Sequence, residues 1–248
     1  MKRGDLHHNT RRPDYAEPAR YQEGLDFDSP VERRTRNWDQ LGAFLDRVRP
    51  ASVLEIGPGS GHLTRRIVTY PTVERYVAVD INGAFLDYLR PRLTALRPDL
   101  SVTLVESTIA QAPDESFDAV VMISAVHHIP DRDELFTGLH KRLRPAGRVL
   151  AVDPTHYLFR LRKMMRKVLK PGYLAYQLSL VNRGEFSTHS MCQLAEYRAI
   201  AAKAGFLLTR VEFAEQPRRL LRWCARGVPL GPLWRWASAE ILVEFERS

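Results

Sequence analysis

The feature that most constrains this chain is a regular alternation of short apolar runs with amphipathic segments. The apolar runs, rich in Val, Ile and Leu, occupy residues 52–56, 76–79, 102–105, 119–123 and 148–152. Between them apolar residues recur at helical spacing, as Phe85, Leu89 and Leu93 do. Nearly continuous apolar strands that alternate with helices are typical of a parallel sheet covered on both faces. The sequence therefore predicts an α/β protein with a doubly wound sheet.

The flanking segments extend this prediction at both ends. Apolar residues between 38 and 48 predict a helix that ends before Pro50. The alternation of apolar runs and amphipathic segments stops after residue 152. A further helix follows, which we expect to begin at the capping box 190–193 and to end at Gly205. Residues 206–213 read as a sixth strand, and the alternation at 241–246 predicts a closing edge strand.

Composition places the chain among ordinary soluble proteins. Its 248 residues are 44% hydrophobic and 27% charged, which suits one domain with a substantial core. No apolar stretch reaches the ~18 residues of a spanning helix, and the first residues lack the apolar run of a secretory signal. Cys192 and Cys224 stand in no metal or redox spacing and are interpreted as buried, reduced thiols. These observations favour a cytoplasmic protein.

A glycine-rich segment carries the strongest functional signal. Gly57, Gly59 and Gly61 follow the first predicted strand and open a helix, the context that a nucleotide-binding loop requires. Glycine permits a tight turn and a close approach of backbone to ligand. His62 occupies the position of the third glycine in a dinucleotide fingerprint, and Glu55 precedes the loop. The pattern favours a cofactor that carries adenosine and an amino acid over a pyrophosphate.

An acidic residue at the end of the second predicted strand supports the same interpretation. Asp80 stands 19 residues after Gly61. A carboxylate at this position can accept hydrogen bonds from both hydroxyls of a ribose, as it does in dinucleotide-binding folds. The loop, the acid and the alternating pattern together predict a nucleoside-containing cofactor.

These segments resemble those of a known family. Residues 53–64, Asp80, residues 117–131 and residues 143–150 resemble the motifs of class I S-adenosylmethionine-dependent methyltransferases. Within that superfamily they are similar to the small-molecule branch, near the ubiquinone and menaquinone methyltransferases. The resemblance covers about residues 38–153. It implies a mostly parallel, seven-stranded Rossmann-like sheet with an antiparallel edge hairpin and a helical substrate lid.

The resemblance also implies the cofactor, S-adenosyl-L-methionine, and its site. Glu55 and the three glycines would surround the methionine end, Asp80 would bind the ribose, and Ile81 would pack on the adenine. Thr108 stands where the family often has an Asp facing the adenine amino group, so a hydroxyl or a backbone carbonyl would make that contact. The predicted cofactor-binding residues are Glu55, Gly57, Gly59, Gly61, Asp80, Ile81, Thr108, Ile109 and Ser124. No Asp/His cluster predicts a metal site.

Two histidines are the candidate catalytic residues. His127 and His128 lie just past the fourth predicted strand, at the edge where open sheets bind ligands. Either could act as a base toward the acceptor, or one could cap the next helix while the other packs structurally. Further candidates are interpreted mainly as walls of the acceptor pocket: His156, Tyr157, Tyr173, Tyr176 and His189. Tyr15 and Tyr21 could close over the cofactor or be disordered.

The predicted domain organisation is an arm at 1–36 and a methyltransferase domain at 37–248 with lid insertions at 154–186 and 214–238. The chain has a net charge of +8, and residues 154–236 alone hold 15 Lys/Arg against 4 Asp/Glu. A helix near 157–170 with one basic face is interpreted as a solvated surface or as a contact to an anionic membrane or an acidic substrate. The tryptophans and arginines of 218–236 could pack in a core, line an apolar pocket or stack on bases.

Three functions are compatible with these patterns. The first is methylation of a small, lipophilic or aromatic acceptor. The second is methylation of RNA through the basic half, although residues 123–126 lack the Asn-Leu-Pro-Tyr type of sequence that adenine-methylating enzymes of ribosomal RNA carry. The third is a non-catalytic cofactor-binding protein. The expected partners are a small-molecule acceptor and an anionic membrane surface, ahead of nucleic acid, and the oligomeric state stays open.

Overall fold

The computed structural model describes residues 26–30, 35–154, 192–214 and 240–248. The helices are α1 (Arg36–Val48), α2 (His62–Val68), α3 (Gly83–Leu96), α4 (Arg132–Arg142) and α5 (Leu194–Lys203). The strands are β1 (Ser52–Ile56), β2 (Arg75–Asp80), β3 (Ser101–Glu106), β4 (Phe117–Ile123), β5 (Leu143–Pro154), β6 (Phe206–Ala214) and β7 (Glu240–Arg247). Single 3-10 turns at Ile109–Gln111 and Val126–His128 follow β3 and β4. The predicted alternation of strands and helices is confirmed.

The strands of the described residues form one sheet in the order β3-β2-β1-β4-β5-β7-β6. The first five of these are parallel, whereas β7 pairs antiparallel with both β5 and β6. This is the predicted mostly parallel, seven-stranded, Rossmann-like sheet with an antiparallel hairpin at one edge. The order of strands along the sheet reverses between β1 and β4, and ligands of open α/β sheets bind beside the carboxyl ends of such a pair.

Both faces of the sheet are covered by apolar side chains, because successive residues of a strand point to opposite faces. Leu54 and Val77 belong to one buried cluster, with α4 and α5. Their neighbours Val53 and Tyr76 belong to the other cluster, with α1, α2 and α3. The central strands are therefore buried on both sides, as a doubly wound sheet requires.

Two details of the prediction are wrong: the position of the closing strand in the sheet and the residue at which the last helix begins. The closing strand, β7, does not lie at the edge of the sheet but between β5 and β6, and its residues 241–245 are all buried. Glu244, one of the polar residues of that alternation, is buried and pairs with Arg47 and Arg210. The helix expected to begin at the capping box 190–193 begins at Leu194, and its N-cap residue Gln193 makes no side-chain capping hydrogen bond.

Several predictions fall outside the described residues. They are the arm up to residue 25, most of both lid insertions, Cys224, and the candidate side chains Tyr15, Tyr21, His156, Tyr157, Tyr173, Tyr176 and His189. Cys192 is buried and free. Within the described ranges, no helix combines the length and hydrophobicity that crossing a membrane demands.

Candidate active site

The candidate site lies at the carboxyl ends of β1 and β4, where the sheet reverses its order. Gly57 follows β1 directly and Ser124 follows β4 directly. A Cβ atom on Gly57 would stand 3.1 Å from the Cβ atom of Ala125, so the two strand ends approach each other closely here. The predicted glycine loop and the predicted fourth-strand block therefore meet in one crevice.

The backbone of the loop explains why glycine recurs at every second position. Gly57, Gly59 and Gly61 have φ angles of 70°, 54° and 82°, in the left-handed region that L side chains rarely adopt. The N–H group of Gly57 donates to the carbonyl of Val79 at 2.9 Å, which ties the start of the loop to β2. A Cβ atom on Gly61 would come within 2.2 Å of Leu89. Side chains at these positions would deform the loop.

Asp80 is joined directly to the loop. Its Oδ2 atom accepts a hydrogen bond from the N–H group of Gly59 at 3.4 Å, and its Oδ1 atom accepts one from Asn82 at 2.9 Å. Burial raises the pKa of this carboxyl group from 3.8 to about 6. A carboxylate has about four lone-pair positions, so Asp80 has capacity for further donors such as two ribose hydroxyls.

These residues fit a cofactor made of adenosine and an amino acid. The loop supplies a cradle of backbone without side chains, and Asp80 supplies acceptors at the adjacent strand end. Ile81 and Thr108 are both half-buried just beyond the ends of β2 and β3. Ile109 is different, because its side chain packs in the core against Gly138, which leaves its backbone as the group that could face a ligand.

Ser124 has the conformation of a glycine although it has a side chain. Its φ angle is 56°, and its N–H group donates to the carbonyl of Val152 at 2.7 Å. Residues held in sparsely populated conformations cost about 1–3 kcal/mol each and cluster at functional sites. The strain at Ser124 lies at the predicted site, on the opposite side of the crevice from the glycine loop.

Glu55 has other partners than the sequence predicts. Its carboxyl group is buried and accepts hydrogen bonds from Tyr76 at 2.5 Å and from Thr64 at 2.8 Å. Burial raises the pKa of Glu55 from 4.5 to about 7. In this structure the side chain thus connects β1, β2 and α2 underneath the loop, and its contact with the methionine end of a cofactor stays a prediction.

His127 is part of a buried polar chain. Its Nδ1 atom lies 2.8 Å from Oδ1 of Asp153, at the carboxyl end of β5, and the hydroxyl of Tyr197 on α5 donates to Oδ2 of the same carboxylate at 2.7 Å. Because a carboxylate accepts hydrogen bonds, Asp153 favours the imidazole form that has its proton on Nδ1 and its basic lone pair on Nε2. His128 is half-buried, and its ring centroid lies 3.9 Å from that of His127.

Sequence reasoning missed Asp153 and Tyr197. Asp153 had a detectable signal, since it ends an apolar strand as Asp80 does. Tyr197 had none, because it reads as an ordinary apolar position of an amphipathic helix. Among the described residues, no group of three or more His, Cys, Asp or Glu side chains is arranged to hold a metal ion.

Comparison with known proteins shows what the region around this site is similar to. Residues 54–149, from β1 into β5, match the family model described as a methyltransferase domain. The ubiquinone/menaquinone biosynthesis C-methyltransferase UbiE of Pseudomonas aeruginosa is 29% identical over 151 residues, which are 59% of this chain and 56% of that protein. The homologous protein of Teredinibacter turnerae is 24% identical over a similar share. The match thus spans little more than half the length of these curated relatives.

Solved structures show the same fold. Phosphoethanolamine N-methyltransferase 2 of Haemonchus contortus, solved with S-adenosyl-L-methionine, superposes with a TM-score of 0.63 and 21% identity, over 99% of this chain and 59% of that one. The cyclopropane synthase MmaA2 of Mycobacterium tuberculosis superposes with a TM-score of 0.61 and 18% identity, over 97% and 95% of the two chains.

The sheet order, the glycine loop with its strand-end acid and the matched residues 54–149 point to the same class of protein. The chain is similar to the class I S-adenosylmethionine-dependent methyltransferases. Within that class, the matched region is similar to the C-methyltransferases of ubiquinone and menaquinone biosynthesis.

Proposed function

We propose that this protein binds S-adenosyl-L-methionine at the β1/β4 crevice and transfers its methyl group to a small, lipophilic or aromatic acceptor. The observation that carries the proposal is the hydrogen bond between Gly59 and Asp80, which joins the glycine loop and the strand-end acid into one cradle. The similarity to ubiquinone and menaquinone C-methyltransferases supports a small acceptor. We infer the lipophilic or aromatic character of that acceptor from ubiquinone and menaquinone, the compounds in whose biosynthesis those relatives act.

The residues of the crevice have separable tasks in this proposal. The backbone of Gly57, Gly59 and Gly61 holds the methionine end, and Asp80 accepts hydrogen bonds from the ribose hydroxyls. Ile81 packs on the adenine, with Thr108 and the backbone of Ile109 beside it. Ser124 borders the cofactor from the β4 side.

The cofactor supplies a methyl group on a positively charged sulfur, which is already an activated electrophile. The protein must hold the acceptor atom in line with that methyl group, and positioning alone supplies about 7–11 kcal/mol in favourable cases. His127 then takes a proton from the acceptor through Nε2, while Asp153 stabilises the imidazolium that forms, since the two side chains are 2.8 Å apart. His128, whose ring lies against that of His127, is the alternative base.

The RNA and membrane hypotheses rest on segments outside the described residues. Of the 15 Lys/Arg between residues 154 and 236, only Arg198, Lys203 and Arg210 lie in the described part of the chain. No contact in that part favours nucleic acid, a membrane surface or a non-catalytic role. In this proposal residues 1–36 form an arm, and residues 154–186 and 214–238 are lid insertions.

Calorimetry on the wild type and on Asp80→Ala tests the proposal. We expect one-to-one binding of S-adenosyl-L-methionine and of its demethylated product, S-adenosylhomocysteine. Asp80→Ala should weaken both by about tenfold or more, because two charge-assisted hydrogen bonds to the ribose are lost.

Asp118→Ala is the matched control, since this aspartate lies on β4 and bonds to Ser52 at the opposite end of the strand. It should leave the affinity unchanged. Absence of binding by the folded wild type, or equal weakening by both variants, would count against the proposed site.

A further inference from the structure

A short segment before α1 packs directly on the glycine loop. We define residues 26–30 (Asp26, Phe27, Asp28, Ser29 and Pro30) as the clasp. The N–H group of Phe27 donates to the carbonyl of Ser60, inside the loop, at 2.9 Å. The Phe27 side chain is 4% exposed and belongs to the same apolar cluster as Leu89. The clasp is thus bonded to the loop by backbone and packed beside it by an aromatic ring.

The ring of Phe27 occupies the space that the missing side chain of Gly61 leaves. A Cβ atom on Gly61 would lie 3.2 Å from Cδ2 of Phe27 and 2.2 Å from Leu89. Phe27 and Leu89 therefore close one side of the loop at the residue where its backbone turns into α2. With this space filled, the loop has less room to leave its left-handed conformation.

Helix α3 holds the clasp in place through two acidic side chains. The hydroxyl of Tyr88 donates to Oδ2 of Asp26 at 2.8 Å, and Nε of Arg92 donates to Oδ2 of Asp28 at 2.6 Å. The guanidinium of Arg92 also stacks 3.6 Å from the centre of the Tyr88 ring. One turn of a helix thus presents two neighbouring donors to two acids that are two positions apart in the sequence.

A third element completes the attachment. Arg65 on α2 donates to the carbonyls of Phe27 at 3.4 Å and Ser29 at 3.2 Å. Inside the clasp, the hydroxyl of Ser29 donates to Oδ1 of Asp26 at 2.8 Å, which closes a turn. The clasp therefore has bonds to the loop, to the helix after the loop and to α3.

We infer that the clasp is part of the cofactor site: it holds the glycine loop in its binding conformation, and Phe27 and Tyr88 are positioning residues for the cofactor. This inference rests on the proposed function for its ligand. Apparent affinity scales with the fraction of protein in the binding-competent conformation, so loosening the clasp lowers affinity without removing any contact to the cofactor. By the same linkage, bound cofactor stabilises the clasp.

The test uses the full chain, S-adenosylhomocysteine as the probe, and Tyr88→Phe as the principal variant. Loss of one hydrogen bond of this kind shifts an equilibrium by about threefold to tenfold, so the dissociation constant should rise measurably, by up to that factor. Phe27→Ala should raise it by about tenfold or more, because the loop loses both its packing and its fixed neighbour.

Tyr70→Phe is the matched control. Its hydroxyl also donates to an aspartate, Asp46, at 3.0 Å, but at the opposite end of α2 from the loop. It should leave the affinity unchanged. Wild-type affinity in folded Tyr88→Phe and Phe27→Ala, with melting temperatures that show the fold is intact, would overturn the inference.

Hydrogen exchange tests whether the clasp holds the glycine loop, independently of whether the protein binds the cofactor. In the ligand-free wild type, the amide of Gly61, which donates to Pro58 at 3.1 Å, should exchange more slowly than in Tyr88→Phe. If the wild type binds no S-adenosylhomocysteine, the proposed function fails. The comparison of exchange rates then still tests whether the clasp holds the loop. Equal exchange in wild type and Tyr88→Phe would then disprove that the clasp holds the loop.

Discussion

At the scale of single residues, Glu55 is the clearest case of a side chain whose surroundings determine its chemistry. It stands next to the glycine loop in sequence, yet its carboxyl group is buried between Tyr76 and Thr64. Burial raises its pKa to about 7, because the charged form loses its hydration.

This raised pKa predicts a pH-dependent stability. Between about pH 4.5 and 7 the folded state keeps a proton that the unfolded state releases, so the free energy of unfolding falls as the pH rises. The contribution of Glu55 over this window is on the order of 3 kcal/mol. Asp80, with a pKa raised by burial to about 6, adds a slope of the same sign. Urea unfolding from pH 4.5 to 8 should show a flatter profile for Glu55→Gln than for wild type.

Glu74→Gln is the matched control for this experiment, because Glu74 is an exposed glutamate on the surface just before β2. Its profile should run parallel to that of the wild type. A Glu55→Gln profile that is also parallel to the wild type would show that the buried carboxyl group does not couple to folding.

At the scale of elements, the hairpin β6–β7 shows what alternation can and cannot indicate. The alternation at residues 241–246 predicts a strand correctly but places it at the edge of the sheet. In the sheet β7 is internal, and Glu244 is accommodated by Arg47 of α1 and Arg210 of β6. Those partners lie far away in sequence, so a local pattern contains no information about them.

One leucine on each strand of the hairpin predicts a different loss of stability for the same substitution. Leu242 on β7 is 2% exposed, whereas Leu207 on β6 is 60% exposed. Leu242→Ala should lower the free energy of unfolding by about 2–5 kcal/mol, since it leaves a cavity in a packed core. Leu207→Ala should change it by less than about 0.5 kcal/mol. Chemical denaturation of the two variants measures both, and similar losses would contradict the observed difference in burial between the two leucines.

At the scale of the whole molecule, the proposed cofactor crevice joins elements from most of the described chain. Five parts of the chain lie at or beside the carboxyl ends of the parallel strands. They are the clasp, the loop after β1, Asp80 of β2, Ser124 after β4 and Asp153 of β5. A ligand bound there contacts several elements at once. Because such a site does not exist in the unfolded chain, binding stabilises the entire fold.

Thermal unfolding measures this coupling. S-adenosylhomocysteine at one hundred times its dissociation constant should add about 2.7 kcal/mol to the free energy of unfolding. For a chain of this size, that gain corresponds to a melting temperature higher by about 5–10 °C. Asp80→Ala at the same absolute concentration should show a markedly smaller increase. A melting temperature that does not respond, although calorimetry detects binding, would mean that the ligand binds outside the cooperative fold.

From the sequence we predict the strands and the glycine loop, and we predict Asp80 and the histidine pair as site residues. All of these depend on the periodicity of apolar residues or on spacings of a few residues, which can be read directly from the sequence. Only the tertiary structure decided the position of β7, the burial of Glu55 between Tyr76 and Thr64, the pairing of His127 with Asp153 and Tyr197, and the attachment of the clasp to α3. These contacts join residues far apart along the chain. The physical reason is that a buried polar group must find a partner wherever the packing of elements brings one, and that packing is a property of the whole molecule.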